Sequence, residues 1–188
     1  MTKNLGYSLP DPGDFEVVHI EGLGGKLIHL GEMLNGSGFA DYEHARLYLG
    51  DGKCVQAEPG GATIVPFDPN DHGQWSTGLF SIPKETRKKI VEYGYKCEGV
   101  GYSAVDYFAL AARRLKLGLL VPGLRTYVAS SGHMICSQLV DWCYQQAGVQ
   151  LFDDKRWNGY VTPTDLYELM WSRRARQRTN MAGLLISR

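Results

Sequence analysis

Cys136 stands where the stretch "ICSQLVDWCYQQAG" turns from loop into helix. The amides of a first helical turn lack intrahelical partners and the helix dipole is positive there, so a cysteine at that position has its thiolate form favoured. Cys143, seven residues further on, gains almost none of this. A plainer role also fits both, because with Leu139, Val140, Tyr144 and Ala147 they form one apolar stripe at helical spacing. A thiolate nucleophile further needs an imidazole to accept its proton and a polar group to orient that ring.

Five histidines could supply the imidazole. His133 is close to Cys136 in the chain but reads as a loop residue. His19 and His29 fall on the first strand and first helix and read as structural, and His72 lies in a polar loop. His44 differs because it heads "HARLYLGDGKCVQAE", two alternating runs joined at "GDG", the pattern of a β-hairpin. With a three-residue connection Leu49 pairs with Lys53, His44 falls opposite Glu58, and Gln56 is the diagonal neighbour on the same face. A two-residue turn would shift the register and separate them. Half-exposed hairpins also display His, Gln and Glu for solubility alone.

The elements that must position these residues can be read coarsely. "DFEVVHIEG" predicts a strand and "LGGKLIHLGEML" a short amphipathic helix with Leu27, Leu30 and Leu34 on one stripe. "PGGATIVPF" offers another short strand, and "DPNDHGQWSTG" a polar loop. Helices are expected from about Pro83 to Tyr93, and from the Ser103/Asp106 capping box to Gly118. Two more are expected, from Cys136 to a stop at Gly148, and from Thr162, with Pro163 and Asp165 in its first turn, into "RRARQR", Arg173 to Arg178. That basic run reads as a solvated helix end, where cations suit the dipole. Strands gather early and helices late, so the class is α+β.

The 188 residues suit one domain, with a core over about 12–170 and a basic C-terminal tail after it. A hydrophobic fraction of 44% with 21% charged residues and eleven tyrosines is that of a globular protein. Net charge is zero, so no overall field attracts nucleic acid or acidic membranes, and no nucleic-acid partner is expected. Neither a signal-peptide run nor an 18-residue apolar span occurs, which leads to the expectation of a protein made in the cytosol without stable membrane insertion. Its site of action, whether the host cell, a virus particle or an envelope after lysis, stays open, as does its oligomeric state. Thiols are then expected to be reduced. No two cysteines have the close spacing of structural zinc sites, so neither metal nor cofactor is expected.

"PGDFEVVHIEGLGGKLIHLGEML", "YEHARLYLGDGKCVQAEPGGA" and "ICSQLVDWCYQQAG" resemble, in that order, the circularly permuted branch of the NlpC-type papain-like cysteine hydrolases. The similarity runs from about Pro12 to Leu169. Its most specific parts are the histidine leading a strand that ends in a glycine turn, and the "CSQLV" helix start. A histidine that precedes the cysteine is the mark of the permuted branch.

The resemblance implies a papain-like fold, with a small antiparallel, barrel-like sheet packed against the helix that carries the nucleophile. It implies Cys136 as nucleophile, His44 as base, and a polar residue of the next strand as the orienting group. Family spacing puts that third residue at Gln56, with Glu58 as the alternative. Tyr102, in "GVGYSAVDY", resembles a segment that lines the site in relatives, though the tryptophan of that segment is absent. The backbone N–H of Cys136 is the natural oxyanion donor. The implied activity is hydrolysis through an acyl-enzyme, on an amide such as those in bacterial cell-wall peptides. The branch also resembles lecithin:retinol acyltransferase and its phospholipase kin, so a lipid-like ester or amide is the alternative small substrate. A third class keeps the fold as a non-catalytic binding or assembly module and predicts an unreactive Cys136.

Overall fold

The computed structural model of the chain describes residues 9–18, 42, 44–58, 61–70, 73–101, 135–154 and 161–186, with side chains as far as 182. Among these residues the class is α+β, with five strands in one open antiparallel sheet and three helices. The strands are β1 (Phe15–Val18), β2 (His44–Gly50), β3 (Lys53–Glu58), β4 (Gly61–Pro66) and β5 (Gln74–Trp75). Their order across the sheet is β4-β3-β2-β1-β5. The helices are α1 (Lys84–Lys96), α2 (Cys136–Gln146) and α3 (Pro163–Ile186). The helices expected at 23–34 and 103–118 lie outside the described residues.

The β2–β3 hairpin forms because both strands alternate and because Gly50, Asp51 and Gly52 all take positive φ, at 90°, 49° and 70°. Two glycines make that turn inexpensive, and Asp tolerates the left-handed region better than most residues. At the turn the expected Leu49–Lys53 pair is replaced by Gly50 opposite Lys53, with a register shift between Tyr48 and Gly50. Beyond that irregularity the pairs are Tyr48 with Cys54, Leu47 with Val55 and Arg46 with Gln56, which is the expected register. Continued two residues, it sets Glu58 opposite His44.

Ala45, Leu47, Leu49, Val55 and Ala57 alternate with the polar positions and enter the core together with Leu139, Val140, Cys143 and Tyr144 of α2. Helix α2 packs on β2 and β3, and α1 packs on α2 and β2. Gly94 lets α1 come this close. A Cβ there would lie 2.6 Å from Leu49 Cδ2 and 3.0 Å from Leu47 Cδ2. This packing also carries α1 through Gly94 to Lys96, one turn beyond the expected end.

Two expectations are corrected. The segment read as a polar loop contains β5, an edge strand that pairs with β1 through Glu16–Trp75 and Val17–Gln74. It is secured at its end by Phe15 N–H donating to Ser76 Oγ at 3.0 Å and Ser76 N–H donating to Phe15 O at 2.9 Å. The arginine run is not a helix end, because α3 continues to Ile186 and the run lies in its middle. No helix breaker interrupts Arg173–Arg178. Arg174 donates to Gln74 Oε1 and Trp75 O, both at 3.0 Å, and the Arg173 guanidinium lies 5.3 Å from the centre of the Phe80 ring. The start of α3 is as expected: Asp165 N–H donates to Thr162 Oγ1 at 3.1 Å, and Thr162 N–H donates back to Asp165 Oδ2 at 2.8 Å.

Candidate active site

His44 is the first residue of β2, and Gln56 and Glu58 alternate along β3, so the hairpin register brings all three to one face. His44 Nε2 and Gln56 Oε1 are 3.0 Å apart. Gln56 Nε2 in turn donates to Glu58 Oε1 at 2.6 Å. His44 and Gln56 are buried, at 7% and 8% exposure, whereas Glu58 is exposed. The line therefore runs from a carboxylate at the surface, through an amide, to a buried imidazole. Burial strengthens the inner bond, because water does not compete for either partner.

The two residues that competed for one role thus stand in series. Gln56 touches the ring, and Glu58 touches Gln56. With the Gln56 amide oxygen facing Nε2, the tautomer that completes this bond carries its proton on Nε2 and its lone pair on Nδ1.

Cys136 opens α2, behind Ile135 as N-cap with extended backbone at φ −89° and ψ 165°. An isoleucine side chain has no acceptor to offer, so it cannot cap the first-turn amides. Gln138 closes the other half of the cap, its Oε1 accepting from Ile135 N–H at 3.2 Å. Ser137 Oγ donates to Val161 O at 2.7 Å and ties this turn to the chain ahead of α3. The cysteine thus sits on a rigid helix start, 6% exposed, in the helix that packs against the two strands carrying His44 and Gln56.

The other thiols are placed differently. Cys54, Cys97 and Cys143 are buried at 1%, 1% and 0% exposure, and all four cysteines are unbridged. Cys97 and Cys143 touch across α1 and α2, Sγ to Sγ 3.8 Å. The hydrogen bond to Cys97 and burial raise the Cys143 pKa well above the ordinary thiol value. That thiol stays protonated and is a core residue.

Tyr102 and the remaining histidines, His19, His29, His72 and His133, lie outside the described residues. Sequence reasoning missed the stack of Tyr42 on Tyr167, 4.4 Å between ring centres, which ties the chain ahead of β2 to α3. It also missed the bond between Gln56 and Glu58, for which the only signal was their common face. Among the described residues no group of three His, Cys, Asp or Glu side chains is arranged to hold a metal ion. None of the described helices is long and apolar enough to cross a membrane. Comparison with protein-family models and with curated proteins finds no match for the chain.

Proposed function

We propose that the chain is a thiol hydrolase of the permuted papain-like type, cleaving an amide bond through an acyl-enzyme on Cys136. The observation that carries this reading is the buried His44–Gln56 bond on a hairpin against which the Cys136 helix packs. A surface histidine displayed for solubility would need neither burial nor an oriented partner. In this reading the open sheet is the described part of the barrel-like papain sheet.

The chemistry follows from the donor and acceptor roles. His44 Nδ1 takes the proton of Cys136 Sγ, and the Gln56 carbonyl keeps hold of Nε2–H while the ring becomes charged. The sulfur attacks the substrate carbonyl carbon, and the C=O pair moves onto oxygen, facing the backbone N–H of Cys136. Collapse breaks the C–N bond, with Nδ1–H protonating the departing nitrogen. Water, losing a proton to Nδ1, then attacks the thioester, which releases the acid and returns the thiol. No metal or cofactor enters these steps.

The substrate class is a peptide-like amide, such as those of cell-wall stems. The test is hydrolysis of cell-wall peptide fragments and of phospholipids by wild type and Cys136→Ala. Amide cleavage lost in the variant supports the reading. Phospholipid cleavage alone replaces amide by lipid ester, and turnover of neither by wild type, with an unreactive Cys136, leaves a non-catalytic module.

A further inference from the structure

We propose that Glu58 is a positioning residue for the imidazole of His44 and acts through the Gln56 amide. For its catalytic consequence the proposal rests on the reading above, but the claim about His44 stands on hydrogen bonding alone. A primary amide has two nearly isosteric ends, one donating and one accepting. Facing Nε2 of an imidazole, it can present oxygen to an N–H or its NH2 to a lone pair, and the ring can adopt either tautomer to match. Nothing within the His44–Gln56 pair chooses between these arrangements.

The third group makes the choice. An ionised carboxylate only accepts, so Glu58 takes the NH2 end of Gln56 at 2.6 Å and turns the carbonyl toward His44 Nε2 at 3.0 Å. The bond to the carboxylate is charge-assisted, and so is the stronger of the two. It places the ring proton on Nε2 and leaves the Nδ1 lone pair for the thiol. The opposite orientation would put a proton on Nδ1 and remove the base. Because Glu58 is exposed, the residue that dictates the tautomer can be exchanged without opening the core.

Substitution by a donor should invert the line. Glu58→Lys offers only N–H groups, so it draws the Gln56 carbonyl outward and sends the NH2 end to His44. Glu58→Ala removes the constraint. The measurement is the pair of imidazole 15N shifts of His44 in the full chain labelled at histidine, assigned by loss of the signals in His44→Ala. Neutral wild type should show a protonated Nε2 and a bare Nδ1, Glu58→Ala a mixture, and Glu58→Lys a protonated Nδ1. The alkylation rate of Cys136 should fall about tenfold in Glu58→Lys, the scale of one hydrogen bond to a charged group. A wild type protonated on Nδ1, or the same Nε2–H form in all three proteins, overturns the proposal. Because the 15N shifts do not depend on turnover, a chain that hydrolyses nothing yet inverts its tautomer would refute the hydrolase reading and leave the positioning role intact.

Discussion

His44 Nε2 lies 3.0 Å from Gln56 Oε1, with both residues buried. During the transfer of a proton from Cys136 the ring becomes a cation, and the bond to Gln56 becomes charge-assisted. Hydrogen bonds to charged groups are worth about 1.5–3 kcal/mol, roughly a 10- to 100-fold change in rate. Gln56→Ala is therefore expected to slow both Cys136 alkylation and turnover by that factor while the chain stays folded. Equal rates for wild type and variant, with unchanged circular dichroism, would mean that the ring is not held for catalysis.

The four thiols should separate by reactivity. Cys136 has a helix start behind it, whereas Cys143 is pushed toward the neutral thiol by its bond to Cys97 and by burial. Each unit by which a thiol pKa is lowered raises its thiolate fraction about tenfold when the pH lies below it. The hydrogen bond to Cys143 lowers the Cys97 pKa, but that thiol is sealed at 1% exposure, so brief iodoacetamide treatment near neutral pH, followed by mass spectrometry, should label Cys136 at least about tenfold faster than Cys54, Cys97 or Cys143. Uniform labelling of the four, or none, would favour a core role for Cys136.

Legibility in the sequence followed the range over which each signal acts. The β2–β3 hairpin was readable because alternation and "GDG" are local, and its register delivered His44, Gln56 and Glu58 to one face as expected. The Thr162–Asp165 box was readable for the same reason. Strand β5 was not, since the two residues Gln74 and Trp75 carry no period and owe their place to β1. Neither was the serial arrangement of Gln56 and Glu58: spacing marks both as neighbours of His44, and only side-chain geometry says which touches the ring. Arg173 and Arg174 were misread as solvated because their partners, Gln74, Trp75 and Phe80, are distant in sequence, whereas Arg176 and Arg178 are exposed as expected.

Gly94 tests how tightly α1 is pressed onto the hairpin. In a free helix Gly→Ala would gain about 1 kcal/mol of propensity. Here the added Cβ would sit 2.6 Å from Leu49 Cδ2, with Leu47 and Val55 also within reach, and all three residues are core. Overpacking of this kind costs about 1–3 kcal/mol, so the clash outweighs the gain. Gly94→Ala should lower the thermal midpoint by a few degrees, on the scale of about 2–4 °C per kcal/mol for a chain of this size. A raised midpoint in calorimetry would show that the helix can move off the sheet at little cost.

Tyr144 gives the fold a weakness at alkaline pH. Its ring is fully buried against Phe15 and Phe80, and its hydroxyl donates to the carbonyl of Gly13. Burial, with the nearby Asp14 charge adding to it, raises its pKa far above the ordinary value of 10.0. A group whose pKa is higher when folded binds its proton more tightly in the native state, so its contribution is complete below the unfolded value and is lost as pH rises past it. The loss should begin near pH 10 and continue at about 1.4 kcal/mol per pH unit. Tyr144→Phe cannot ionise but forfeits the bond to Gly13, at a cost of about 1 kcal/mol near neutral pH. Urea midpoints measured on both proteins should therefore put wild type ahead at neutral pH and close the gap above pH 10, where the phenol must ionise on unfolding. A constant difference between the two across that range would show that the Tyr144 hydroxyl is not sealed from solvent.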